Sequence, residues 1–90
     1  MPSAWTIEFE QDAIRQLNRL DTSVRRRILR FLETRFASSG DPRQLGKPLK
    51  GTMAEFWGYR VGDYRLVCLL EDQRMIVTVV SAGHRREVYR

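Results

Sequence analysis

This 90-residue chain is predicted to fold as a small single α+β domain, β-α-α-β-β-β, with a helix hairpin on one face of a mostly antiparallel four-stranded sheet. Three observations carry that expectation. The hydrophobic fraction of 42% is enough to build a core, and the length suits one domain over residues 1–90. The first half contains two stretches with apolar residues at three- and four-residue spacing, the period of a helix. The second half contains three short runs rich in Val, Leu, Ile and aromatics, each bounded by turn formers, the pattern of successive strands.

In order along the chain, Trp5-Thr6-Ile7-Glu8-Phe9 alternates apolar and polar and predicts a half-buried strand. Ala13, Ile14, Leu17 and Leu20 then mark the inner face of a first helix. Asp21-Thr22-Ser23 supplies a stop and a new N-cap. Val24, Ile28, Phe31, Leu32 and Phe36 share one face of a second, longer helix, and the short connection makes the pair a hairpin. Ser38-Ser39-Gly40-Asp41-Pro42 closes that helix and opens a loop. Residues 56–61, 64–70 and 75–82 read as three strands, joined closely enough to pair antiparallel. There is no internal repeat, low-complexity tract or linker.

Composition excludes several function classes. The single cysteine, Cys68, permits no internal disulfide and points to a cytoplasmic setting. Cys68 lies among Leu66, Leu69 and Leu70 and is expected to be an inert buried thiol. One cysteine and one histidine, His84, cannot make a zinc site of the usual kind, so no metal and no cofactor are expected. No apolar run reaches the roughly 20 residues of a membrane span, and residues 1–10 lack the basic cluster of a signal peptide. Without a paired histidine or a carboxylate pair, glycosidase- or protease-type chemistry has little support.

Charge points the other way, toward a polyanion. Lys and Arg total 16 against 11 acids, a net charge of +5, and 14 of the 16 are arginine. Guanidinium groups bind phosphate in planar, bidentate fashion and stack on bases. Residues 43–90 carry nine basic and five acidic groups against seven and six in residues 1–42, so the C-terminal half suggests a nucleic-acid partner. A basic but purely solubilising surface is the alternative.

Three clusters concentrate that charge. Gly62-Asp63 suits a two-residue hairpin turn with glycine first. Val61 then pairs with Tyr64, and Arg60 faces Arg65 across the strands. Opposed like charges are destabilising, so the pair is either splayed into water or built to clamp an anion. The last residues, Gly83-His84-Arg85-Arg86-Glu87-Val88-Tyr89-Arg90, hold three arginines, a histidine and a tyrosine. This segment is either a frayed basic end or a site in which Tyr89 stacks on a base or moves a proton. Arg43-Gln44-Leu45-Gly46-Lys47-Pro48-Leu49-Lys50-Gly51 holds three basic residues and no acid, as a loop following a phosphate backbone would. Arg25, Arg26, Arg27 and Arg30 form the outer side of the second helix, a solvated face or a partner surface. Trp57 and Tyr59 alternate on one strand, as core or sheet-face residues.

Three motifs in this order resemble the RelE branch of the RelE/ParE toxin superfamily: Lys47-Pro-Leu-Lys-Gly51, Trp57-Gly-Tyr-Arg-Val-Gly-Asp-Tyr-Arg-Leu-Val67, and Val80-Ser-Ala-Gly-His-Arg-Arg-Glu-Val-Tyr89. The resemblance spans nearly the whole chain. It implies the toxin of a type II toxin–antitoxin system: a metal-independent mRNA interferase that cuts mRNA in the A site of the 70S ribosome. The mRNA 2′-hydroxyl attacks the neighbouring phosphate and leaves a cyclic phosphate. By the same resemblance Arg65 contacts the scissile phosphate, Arg85 stabilises the leaving side or transition-state charge, and Tyr89 stacks on the base and helps take the 2′-proton. Some members carry lysines on the strand that here holds Phe56 and Gly58. With those absent, Lys47, Lys50, Arg60 and His84 are the candidates to supply the missing charge. Tyrosine titrates at about 10, and Arg85, Arg86 and Arg90 around Tyr89 favour its anion. The resemblance also implies a neutralising RelB-like antitoxin and a toxin–antitoxin hetero-oligomer that binds operator DNA through the antitoxin. Two other readings stay open: a ParE-like toxin that poisons DNA gyrase by protein binding, and a nucleic-acid-binding domain without catalysis.

Overall fold

Residues 5–36, 40–50 and 55–84 are described by the computed structural model of the chain. The elements are β1 (Thr6–Phe9), α1 (Gln11–Asn18), α2 (Thr22–Phe31) continued by a π-helical turn (Leu32–Phe36), a 3-10 turn (Pro42–Leu45), β2 (Lys47–Pro48), β3 (Phe56–Val61), β4 (Tyr64–Glu71) and β5 (Ile76–His84). The strands form one sheet in the order β1-β5-β4-β3-β2, antiparallel except for the parallel β1–β5 pair. The predicted α+β class holds. The sheet has five strands rather than four because Lys47–Pro48 adds an edge. Two residues are too few to show a periodicity, and a proline, lacking its N–H, is tolerated at a sheet edge.

The helices bury one stripe each. Ala13 and Leu17 of α1, Ile28 of α2, and Leu32 and Phe36 of the π-turn join Tyr59, Val61, Leu66, Cys68, Val77, Val79 and Ala82 of the sheet in one core. Ile14, expected on the inner face, is 45% exposed. The buried pair Ala13–Leu17 is spaced by four, and Ile14 sits about 100° further round the helix. The second helix ends differently from its prediction. Val24, Ile28, Leu32 and Phe36 recur every four residues, a longer period than 3.6, and the backbone relaxes into a π-turn at Leu32. That turn brings Phe31 and Phe36 edge to face at 5.6 Å and sets Phe36 against Tyr59 at 4.9 Å. Each such aromatic pair adds about 0.5–1.5 kcal/mol beyond its buried area.

Turn chemistry fixes the strand register. Gly62 has φ +62° and is the one described glycine in the left-handed region, while Asp63 does not share it. This is the geometry of a two-residue turn with glycine first. The pairs Val61–Tyr64 and Arg60–Arg65 follow as predicted. Between β4 and β5 the register shifts once. Cys68 faces Val79 but Val67 faces Ser81, leaving Val80 as the extra residue of a bulge. The β1–β5 pairing ends at Val79, and beyond it the Ala82 amide donates to the Gln16 Oε1 of α1 at 2.7 Å. Met75, predicted to begin the last strand, instead closes the preceding turn at φ 52°.

The Gly62 conformation generates a direct test. A Cβ there would occupy a disfavoured φ and lie 2.9 Å from the Arg27 Nη1. Gly62→Ala is expected to cost about 1–2 kcal/mol, read as a lowered urea midpoint with unchanged m-value.

Candidate functional site

The hairpin register and the bulge together decide what the helix-free face of the sheet displays. Tyr59, Leu66 and Ala82 lie abreast and are buried under the helices. By alternation, the neighbouring rows point the other way. One row runs Lys47, Gly58, Val67, Ser81, and the other Arg60, Arg65, Gly83. Glycines therefore lie beside the cations. Without the bulge, Arg65 would face Ala82 instead of Gly83.

A groove of about 660 Å³ opens between residues 44–50 on one side and Gly58, Arg60 and Arg65 on the other. Lys47, Lys50 and Arg60 are exposed and Arg65 is half-buried. Among the described residues, no acidic side chain lines the groove. Among the described residues, no ion pair joins any of these four cations to a carboxylate. Four cations with no carboxylate partner among the described residues, around a pocket lined by Gly58, make a site for a polyanion, with room for backbone to approach closely.

The near wall of the groove is tied down by close packing. A Cβ on Gly46 would meet the Gly58 carbonyl oxygen and Tyr59 Cε1, both at 2.6 Å, so only glycine lets this segment reach β3. Tyr59 donates its hydroxyl to the Pro42 carbonyl at 3.1 Å. Burial holds the Tyr59 phenol well above its ordinary range, and with its hydroxyl committed to Pro42 the buried Tyr59 supports this wall of the groove.

The sequence-predicted residues divide three ways. Lys47, Lys50, Arg60 and Arg65 come together in the groove. His84 does not join them: it faces Tyr64 on the helix side, ring to ring at 5.6 Å. Arg85, Arg86, Tyr89 and Arg90 lie outside the described residues. Arg43, counted at first with the basic loop, is turned to another task. Its guanidinium binds Asp72 through both nitrogens at 2.8 and 2.7 Å. It also lies 3.5 Å from Asp41 and 5.7 Å from the Trp57 ring centroid. The Asp72 contact raises Arg43 and holds the Asp72 carboxyl below its ordinary value. Sequence reasoning missed Asp72, which lies 29 residues from Arg43. It also missed Gly58 as a lining residue of the groove, whose only signal was glycine within a strand-like run.

Among the described residues there is no group of three metal-ligating side chains, and no helix is long and apolar enough to cross a membrane. Cys68 is fully buried, and burial pushes its thiol up to about 12. The native protein is therefore expected to resist iodoacetamide at pH 8 and to take up one equivalent only when unfolded, as mass spectrometry would read directly.

The chain is similar to known proteins over nearly its whole length. The family described as ParE toxin of type II toxin-antitoxin system, parDE, matches residues 7–89. Toxin RelG of Mycobacterium tuberculosis is 30% identical over 87 residues, covering 96% of this chain and 97% of the relative. The RelBE2 toxin–antitoxin complex of the same organism contains a chain that superposes with a TM-score of 0.84 at 26% identity, over 94% of this chain and 95% of that one. The isolated RelE toxin of E. coli superposes with a TM-score of 0.70 at 27% identity, over 96% of this chain and 92% of that one.

Proposed function

We propose that this chain, which belongs to the ParE toxin family of type II toxin–antitoxin systems and is RelE-type within the RelE/ParE superfamily, acts as a ribosome-dependent mRNA endonuclease. The observation that carries this reading is the groove in which Lys47, Lys50, Arg60 and Arg65 gather with no acid among the lining residues.

RNA cleavage by internal transesterification needs three things. The 2′-oxygen must lose its proton and form a bond to phosphorus. The phosphorane must be neutralised. The bond to the 5′-oxygen must break and that oxygen take up a proton, leaving a cyclic phosphate and a 5′-hydroxyl. Arg65 serves the second need as a preorganised cation, with Arg60 opposite it. Lys47 and Lys50 hold the flanking backbone from the other wall. Arg85 follows two residues after Gly83, the cross-strand partner of Arg65, and is assigned the leaving side. Tyr89 is assigned the base stack and the 2′-proton. The reaction draws on no metal or cofactor.

The partner is a RelB-like antitoxin. The M. tuberculosis neighbour is a toxin–antitoxin complex, and an acidic antitoxin segment would complement the uncompensated groove. The assembled pair binds operator DNA through the antitoxin. A second reading, gyrase poisoning by protein binding, draws on the ParE family match. It gives no role to a groove of uncompensated cations.

In a defined translation reaction with purified protein, mapped mRNA 5′ ends are expected at the A-site codon, and only with ribosomes present. Arg65→Ala and Arg85→Ala should each lower cleavage by about 10²–10⁴-fold while circular dichroism stays native. Tyr89→Phe separates proton transfer from stacking. Intact mRNA together with trapped gyrase–DNA complexes would favour the second reading.

A further inference from the structure

The groove has two walls of different construction. Arg60 and Arg65 sit on paired strands in the middle of the sheet. Lys47 and Lys50 sit on a sheet-edge segment held by two residues of strand pairing, by the Leu49 N–H donating to the Phe56 carbonyl at 3.0 Å, and by Gly46 packed on β3. The end of the segment that precedes Gly46 has an anchor of its own. That end, the 3-10 turn, is closed by Gln44 N–H to the Asp41 carbonyl and Gly46 N–H to the Arg43 carbonyl, at 3.1 and 3.3 Å. The Asp41 carboxylate also accepts from the Arg43 amide at 3.0 Å. From this turn the Arg43 guanidinium reaches the β4–β5 turn and binds Asp72 bidentately.

The anchor at the other end is itself rigid. Met75 N–H donates to the Asp72 carbonyl at 3.2 Å, and Met75 holds its left-handed conformation there. The Met75 carbonyl in turn accepts from Thr6 at the start of β1, at 2.8 Å. The chain of contacts Thr6–Met75–Asp72–Arg43 thus joins the two edges of the five-stranded sheet at one end. The ion pair is open to water, with the Asp72 side chain 66% exposed. A pair that exposed adds little to global stability, while its bidentate geometry fixes direction. Its effect is therefore positional.

We infer that Arg43 and Asp72 form a latch that holds the wall bearing Lys47 and Lys50 over Arg60 and Arg65, making both positioning residues for the bound polyanion. This rests on the reading of the groove as an RNA site. The latch predicts a sign opposite to simple electrostatics. Removing the Asp72 charge makes the protein more basic and leaves Arg43 with Asp41 alone as its acidic partner, at 3.5 Å, which on charge alone strengthens RNA binding. With a latch, the same change loosens the wall and weakens binding.

The test compares Asp72→Asn with Asp72→Glu in the full chain. For ribosome-bound mRNA, Asp72→Asn should raise KM about threefold to tenfold with kcat within about twofold, as expected for misplaced binding groups. Asp72→Glu, which keeps the carboxylate, should restore most of the loss. Amide exchange at Gln44 and Gly46 should quicken in Asp72→Asn, while Leu66 and Val79 stay protected. An unchanged or lowered KM would overturn the latch and make Arg43 a shielded RNA contact. Exchange quickening equally across β4 and β5 would also overturn it, as a global loss of stability. If the wild-type chain cuts no mRNA, the RNA reading fails, and the exchange data alone decide the latch.

Discussion

The backbone angle at Gly62, φ +62°, sets the register of β3 against β4, and the rest of the structure depends on that register. Strand side chains alternate with period two, so a slip of one residue would exchange the two faces. In the observed register Tyr59 and Val61 enter the core. Arg60 and Arg65, between and beside them, face each other on the opposite surface. The turn that permits a hydrophobic core thus also imposes a like-charge pair. The cost of that pair is lowered by solvent exposure of Arg60, and it would fall further with an anion between the guanidiniums.

Tyr59 links the core to the groove. Its ring packs on Phe36 from the π-turn and lies near Phe31. Its hydroxyl holds Pro42, and its ring edge lies where any Gly46 side chain would have to go. The unusual helix end, the buried tyrosine and the close glycine are one packing solution. The π-turn delivers Phe36 to Tyr59, and Tyr59 carries the segment that leads to Lys47. Phe31 and Phe36 thus connect to the groove wall through Tyr59, although neither is among its described lining residues.

Arginine serves two opposite purposes in this chain. Arg43 is neutralised by Asp72 and Asp41 and works as a strut. Arg60 and Arg65 meet no carboxylate among the described residues and form a positive surface. Residue type alone does not separate these roles. What separates them is whether the fold brings an acid within reach, and in Arg43's case the acid comes from a turn three strands further along the chain.

Most of the fold was legible in the sequence because its determinants are local. Apolar spacing marked the two helices, β-rich runs marked the three long strands, and Gly62-Asp63 carried the hairpin register and hence the Arg60–Arg65 pair. The three family motifs lie on contiguous stretches, which is why the toxin family could be read from them. The tertiary structure alone decided the rest, because it turns on contacts between distant residues. The edge strand Lys47–Pro48 exists only because Gly46 can lie against Gly58. The Val80 bulge, invisible to a period-two pattern, sets Gly83 beside Arg65 and turns His84 to the helix side. The Arg43–Asp72 pair spans 29 residues, and no local spacing rule reaches that far. Local periodicity determines which elements form and which face is apolar; three-dimensional packing determines which charges are left free to bind.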